Sequence, residues 1–129
     1  MRLRFLGKDS PIDDSPTLYD TSRNSHLVQG WKVNDVEILA QLDLDADETC
    51  VEVTRKLMSF LSKSDLIDNE QAEPPTVIRT DHDTYIIKGR KVTDAEALAQ
   101  LRLPDHETVV EVSSALRRAV EEQHAKTDA

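Results

Sequence analysis

The sequence predicts an α+β protein made by tandem duplication of a ββαβα unit, with the two copies packed as a pseudo-twofold pair. Three observations lead there. The stretch from Gly30 to Val53, GWKVNDVEILAQLDLDADETCVEV, recurs from Gly89 to Val112 as GRKVTDAEALAQLRLPDHETVVEV. Setting Pro16-Thr17 on Pro75-Thr76 extends the match without a gap over 16–61 and 75–120, at a constant offset of 59 residues. Within each copy the hydrophobic pattern alternates between strand-like and helical periods. Each copy lies near the size below which a core cannot hold a fold alone, so the two are expected to fold against each other.

In chain order, residues 1–15 form an extension without a counterpart in the second copy. Its Arg2-Leu3-Arg4-Phe5-Leu6 alternation suits an edge strand with Leu3 and Phe5 turned inward, ended by Gly7 and a polar run. Repeat 1, residues 16–61, opens with a strand over Thr17–Thr21, a turn at SRNS (22–25) and a return strand over His26–Val33. Repeat 2, residues 75–120, matches it with Thr76–Thr80, the turn Asp81-His82-Asp83 and the return strand Thr84–Val92. The adjacent apolar pairs Leu27-Val28 and Ile86-Ile87 mark strands covered on both faces. Gly30 and Gly89, at matched positions, mark a bulge or a close backbone approach.

A short helix follows in each copy. Thr93-Asp94-Ala95-Glu96 has capping-box spacing and Asn34-Asp35-Val36-Glu37 repeats it, so Thr93 and Asn34 are the expected N-caps. Ile38, Leu39 and Leu42, and in the other copy Ala97, Leu98 and Leu101, form its apolar stripe; Pro104 bars further extension of the second helix. The valine-rich strands at 49–53 and 108–112 come next, then second helices capped by Thr54 and Ser113. Residues 62–74 read as an acidic linker and 121–129 as a frayed tail.

Composition narrows the function classes. A formal net charge of −9 and a sequence pI near 4.8 disfavour general attraction to nucleic acid or anionic lipid. Cys50 is the single cysteine, which leaves no intrachain disulfide, and the opening residues hold no apolar run of signal-peptide length. A cytoplasmic protein without a membrane segment is expected.

No motif specifies catalysis, a metal or a cofactor, and none is expected. Asp43-Leu44-Asp45-Ala46-Asp47 begins like a calcium loop, yet Glu48 stands where such a loop needs glycine and Thr54 where it needs a bidentate glutamate. It reads as a solvated acidic turn. The histidines 26, 82, 106 and 124 lack ligand spacing, and Cys50 aligns with Val109 as a small buried hydrophobe. Glu52 and Glu111 share one strand position and could meet as a carboxylate pair, although surface placement is the ordinary outcome for such residues.

The informative asymmetry lies on the return strands, where Gln29, Trp31 and Lys32 are matched by Lys88, Arg90 and Lys91. With Arg79 from the neighbouring strand, these form the densest positive cluster in an acidic chain, suited to an acidic partner or a phosphate backbone. Internal pairing with nearby carboxylates is the competing reading. Trp31, Lys32, Arg79, Lys88, Arg90 and Lys91 are therefore the candidate partner-binding residues.

Two resemblances bear on the role. Val92-Thr93, Leu101, Leu103 and Val110-Glu111-Val112 make the second copy similar to the strand-helix-strand half of the AbrB/MazE swapped-hairpin family. That resemblance implies a pseudo-dimeric barrel binding DNA through basic strand and loop residues; here the final strand is replaced by a predicted helix. The wider pattern, LRFLGKD at 3–9, PTLY at 16–19, VQGWKV at 28–33 and the recurring ET-x-VEV, resembles small uncharacterised actinobacterial proteins often encoded beside helix-turn-helix regulators. It implies an accessory in transcriptional regulation, with the regulator or its small associate as partner. The expectation is a non-enzymatic protein-interaction module, monomeric as a pseudo-dimer or a homodimer of the whole chain; an AbrB-like DNA-binding regulator ranks second and an enzyme third.

Overall fold

Among its described residues the chain forms seven strands and short helices, mixed in the α+β manner with each of these strands pairing antiparallel. The structure is a computed structural model and describes residues 1–10, 16–68 and 70–128; residues 11–15 of the N-terminal extension, Asn69 in the linker and Ala129 lie outside it. The first half runs β1 (Leu3–Lys8), β2 (Thr17–Thr21), β3 (Ser25–Lys32), α1 (Val36–Leu42), β4 (Glu48–Thr54), α2 (Arg55–Ser59) and a 3-10 turn over Phe60–Lys63. The second runs β5 (Val77–Arg79), β6 (Thr84–Lys91), α3 (Ala95–Gln100), β7 (Glu107–Ser113) and α4 (Leu116–Asp128).

Local chemistry sets these boundaries. Both hairpins turn on a left-handed residue, Asn24 at φ 58° and Asp83 at φ 62°, types whose short polar side chains tolerate that region. The helix caps fall one residue later than expected. Asp35 accepts from the amides of Glu37 and Ile38, and Asp94 from that of Ala97 at 2.8 Å. A carboxylate accepts more strongly at the positive end of a helix than the preceding Asn34 or Thr93 side chain would. Thr54 caps α2 as expected, accepting from the Leu57 amide at 3.1 Å. Ser113 accepts from the Ala115 amide, and helical geometry begins at Leu116.

Two other expectations are corrected. In β1, Leu6 rather than Phe5 turns inward: the register skips Leu6 between the pairs Phe5↔Tyr19 and Gly7↔Leu18. This bulge buries Leu6 and leaves Phe5 60% exposed, its ring edge-on to Tyr19. At the other end, the expected frayed tail is helical as far as Asp128, because the run beyond Val120 holds no glycine or proline and is rich in helix formers.

The strand pairings close on themselves. β3 pairs along its length with β7, and β4 with β6; short two-residue ladders, Trp31↔Glu52 with Lys32↔Val51 and Arg90↔Glu111 with Lys91↔Val110, join β3 to β4 and β6 to β7. Among the described residues the strands β3, β4, β6 and β7 therefore form a closed ring of pairings, with β1 and β5 outermost in the sheet. At the short ladders Gly30 and Gly89 pass close to the neighbouring backbone. A Cβ on Gly30 would lie 2.6 Å from the Glu52 carbonyl oxygen, and one on Gly89 2.7 Å from that of Glu111. Close approach, not a bulge, is the reason for both glycines.

Burial divides into a central core and two satellites. The central core gathers Leu18, Val28, Val51, Val53 and Leu57 from the first half with Val77, Ile87, Val110, Val112 and Leu116 from the second. One satellite sets Ala97, Val92 and Leu101 of the second half against Leu27 and Tyr19 of the first. The other sets Ile38, Leu39 and Leu42 against Ile86 and Ile78, with Cys50 between them. Each short helix thus covers the hairpin of the opposite half.

Candidate functional site

The return strands carry the predicted site, and their ends are placed by the two short ladders. Arg90 lies opposite Glu48 on β4 and Glu111 on β7; Trp31, at the matching place, lies opposite Glu52 and Glu107. Trp31 is half-buried, and Lys32, Arg90 and Lys91 are exposed. Lys88 and Arg90 line an open cleft of about 610 Å³, together with Arg23, Glu48, Glu73 and Glu111.

Most of the charge in this cleft is already paired. Lys88 Nζ donates to the Leu42 carbonyl at 3.0 Å and lies 3.4 Å from Glu48 Oε1. Arg23 lies 3.0 Å from Asp94 and 4.0 Å from Glu111. Glu48 is held below the usual carboxylate range first by the Asp45 amide, which donates to it, and then by Lys88 and Arg90. Arg90 thus acts on Glu48 through its field while its guanidinium remains exposed to an incoming group.

The matching place in the first half is buried. Gln29 occupies the position of Lys88, donating to Glu107 at 2.9 Å and to the Arg102 carbonyl at 2.7 Å. Glu107 stands where Glu48 stands and is 3% exposed, with His106 Nε2 3.4 Å from its other oxygen. The same two-residue contact is therefore built once from an amide and a buried carboxylate and once from an ammonium and an accessible one.

The six predicted residues do not form one patch. Lys32 and Arg79 line a separate cleft of about 460 Å³ with Glu52, Asp81 and His82, and Arg79 donates to Asp83 at 3.3 Å. Lys88 and Arg90 share the first cleft, and Trp31 and Lys91 lie along the strand ends outside both linings. Glu52 and Glu111 do not meet either. Glu111 accepts from the Ser25 hydroxyl and Glu52 from the Thr84 hydroxyl, each at 2.6 Å. Asp43 of the acidic turn closes α1 in the left-handed region at φ 49°.

Sequence reasoning missed Glu48, Glu73 and Glu111 as cleft residues, and Arg23. The repeat alignment flags Glu48 and Glu107 as matched positions, but only the pairing of β4 with β6 brings Glu48 to Lys88. Among the described residues no group of three or more His, Cys, Asp and Glu side chains is placed to hold a metal ion, and no helix is long and apolar enough to cross a membrane. Compared with known proteins, the chain matches no family model, no curated protein and no solved structure.

Proposed function

We propose that the chain is a non-enzymatic protein-interaction module, a fused pseudo-dimer of two ββαβα units serving as an accessory in an actinobacterial transcriptional-regulatory system. Support for the pseudo-dimer comes from register. The pair Leu27↔Glu111 becomes Ile86↔Glu52 when 59 is added to one partner and subtracted from the other, and Gln29↔Val109 likewise becomes Lys88↔Cys50. The exchanged satellites follow the same rule, Leu27 with Val109 and Ile86 with Cys50.

The observation that carries the interaction role is the difference between the two matched places: Gln29 and Trp31 in one, Lys88 and Arg90 in the other. A duplicated surface that stays closed in one copy and presents an exposed Arg90 in an open cleft in the other suits one acidic segment of a partner protein. The resemblance to proteins encoded beside helix-turn-helix regulators suggests the regulator or its small associate as that partner. A photo-crosslinking residue in place of Thr76, exposed in the same cleft, should yield a discrete protein adduct in the native cell that Arg90→Glu abolishes, and one at the exposed Val36 should yield none.

A DNA-binding role of the AbrB type is the second reading, favoured by the closed ring of interleaved strands. It needs Arg79, Lys88, Arg90 and Lys91 on one exposed face, whereas Lys88 is tied to Glu48 and Arg79 lines a different cleft. Absence of any adduct at position 76, together with duplex binding that weakens steeply with salt, would replace the first reading by this one.

A further inference from the structure

The linker docks on one half of the molecule, and the equivalent place on the other half is open. After the 3-10 turn, residues 64–68 cross the first half as a strap. Ser64 Oγ donates to Asp20 at 2.8 Å, and the Asp65 amide donates to the same carboxylate at 3.1 Å. The Ile67 carbonyl accepts from Asn24, and Asp68 pairs with Arg118 at 2.9 Å. Beneath the strap Leu66 sits with His26, Leu61, Ser114 and Arg117 around a residual space of only about 50 Å³.

Shifting those floor residues by 59 gives Tyr85, Val120, Arg55 and Met58, and all four line a groove of about 520 Å³ with Ser59, Glu121, His124 and Ala125. The groove is open because α4 continues to Asp128 where the first half turns back as a strap. Its floor is apolar, and its rim carries Arg55 and His124 with one acid, Glu121; Arg79 lines the neighbouring cleft. Arg55 lies 3.8 Å and Arg79 3.3 Å from the single carboxylate of Asp83, and Arg55 reaches His124 at 3.3 Å. Arg79 stands across the ladder from Tyr85 as Asp20 stands across from His26, so the anchor is an acceptor in one half and a donor in the other.

We infer that this groove binds an extended acidic segment of a partner protein, with one aliphatic side chain seated over Tyr85, Met58 and Val120 as Leu66 is seated over His26 and Leu61. A flanking carboxylate of the segment meets the exposed Arg55, whose internal acid Asp83 is shared with Arg79. The inference uses the same 59-residue equivalence as the proposed interaction role but concerns a second surface, away from Arg90.

The test is fluorescence anisotropy of a labelled decapeptide with the sequence of residues 64–73, SDLIDNEQAE, titrated with the full chain. Saturable binding is expected, weakened about tenfold or more by Arg55→Glu and by Ser59→Trp, which fills the groove, and by replacing both Leu and Ile of the peptide with Asp. Arg55 and Ser59 are exposed, so thermal melts of both variants should match the parent. Arg90→Glu should leave peptide binding unchanged even if it abolishes the adduct at the cleft, which separates failure of this inference from failure of the proposed role. No saturation up to about 1 mM, or equal binding by the groove variants, overturns the inference. So does self-association of the chain that Ser59→Trp abolishes, since a second copy would then be the occupant.

Discussion

The Ser25 hydroxyl donates to the Glu111 carboxylate at 2.6 Å, joining the hairpin turn of the first half to the last strand of the second. Fifty-nine residues along, Thr84 donates to Glu52 at the same distance. Behind each donor stands another hydroxyl, Thr21 at 2.7 Å from Ser25 and Thr80 at 2.5 Å from Thr84. With the donors' protons committed to the carboxylates, Thr21 and Thr80 donate forward while accepting the turn amides of Arg23 and His82. Two such relays hold the halves in register.

Loss of either relay should therefore destabilise the whole molecule. Glu111 keeps 19% side-chain exposure, so water compensates in part, and Ser25→Ala or Thr84→Val should each cost about 1–2 kcal/mol in urea unfolding. Thr84→Ser should restore most of that stability, because the proton donor is retained. A full cost in Thr84→Ser would point to packing of the methyl group instead.

Gly30→Ala and Gly89→Ala should be at least as harmful. The new methyl would meet a backbone carbonyl oxygen at 2.6 or 2.7 Å, and the carbonyl belongs to a paired strand that cannot swing aside. Each is expected to lower stability by about 1–3 kcal/mol, through overpacking and not through backbone conformation. Unchanged melting temperatures would show that the ring has slack at these crossings.

Acid should destabilise the protein through His26. The imidazole is 2% exposed, and burial pushes its pKa below the ordinary 6.5 against the opposing pull of Asp20, whose Oδ1 lies 3.2 Å away but off the line of a hydrogen bond. A group that stays neutral in the folded state while the unfolded chain takes up a proton contributes stability that is intact above about pH 6.5 and declines as the pH falls below it. His26→Gln should flatten the stability profile in that window. A profile identical to the parent would assign the acid sensitivity to the carboxylates alone.

Neither half should fold as a monomer. Each satellite core is built from a helix of one half and a hairpin of the other, so cutting the chain in the linker leaves Leu27 and Ile86 without their covers. A fragment of residues 1–68 and one of residues 70–129 should each lack a cooperative melt or pair with themselves. Mixed, they should reconstitute a one-to-one complex with the circular dichroism of the intact chain. A monomeric, cooperatively melting single fragment would contradict this arrangement.

Much of the fold was legible because its determinants are local. Hairpin turns were readable from Asn24 and Asp83, the short helices from their spacing of Ile38, Leu39 and Leu42, and the last strands from alternating valines. Errors fell where two adjacent residues compete for one role. Asp35 and Asp94 outbid Asn34 and Thr93 as caps, and the bulge at Leu6 exchanged the faces of β1. The candidate site was legible only as residue types. Lys88 and Arg90 stood out by comparison with Gln29 and Trp31, but nothing along the chain says that Glu48 is 3.4 Å from Lys88.

By itself the sequence determined the repeated unit, the order of its elements and the positions at which the copies diverge, because propensity, periodicity and capping act over a few residues. The tertiary structure decided that strands pair across the halves, that Lys88 is satisfied internally while Arg90 is exposed, and that the strap covers His26 while the groove at Tyr85 stays open. Those outcomes depend on which surfaces meet, and a contact such as Ser25 with Glu111, 86 residues apart, leaves no trace in local pattern. Residues 59 apart make matching contacts, and strand pairing alone sets each of them against the opposite half of the chain.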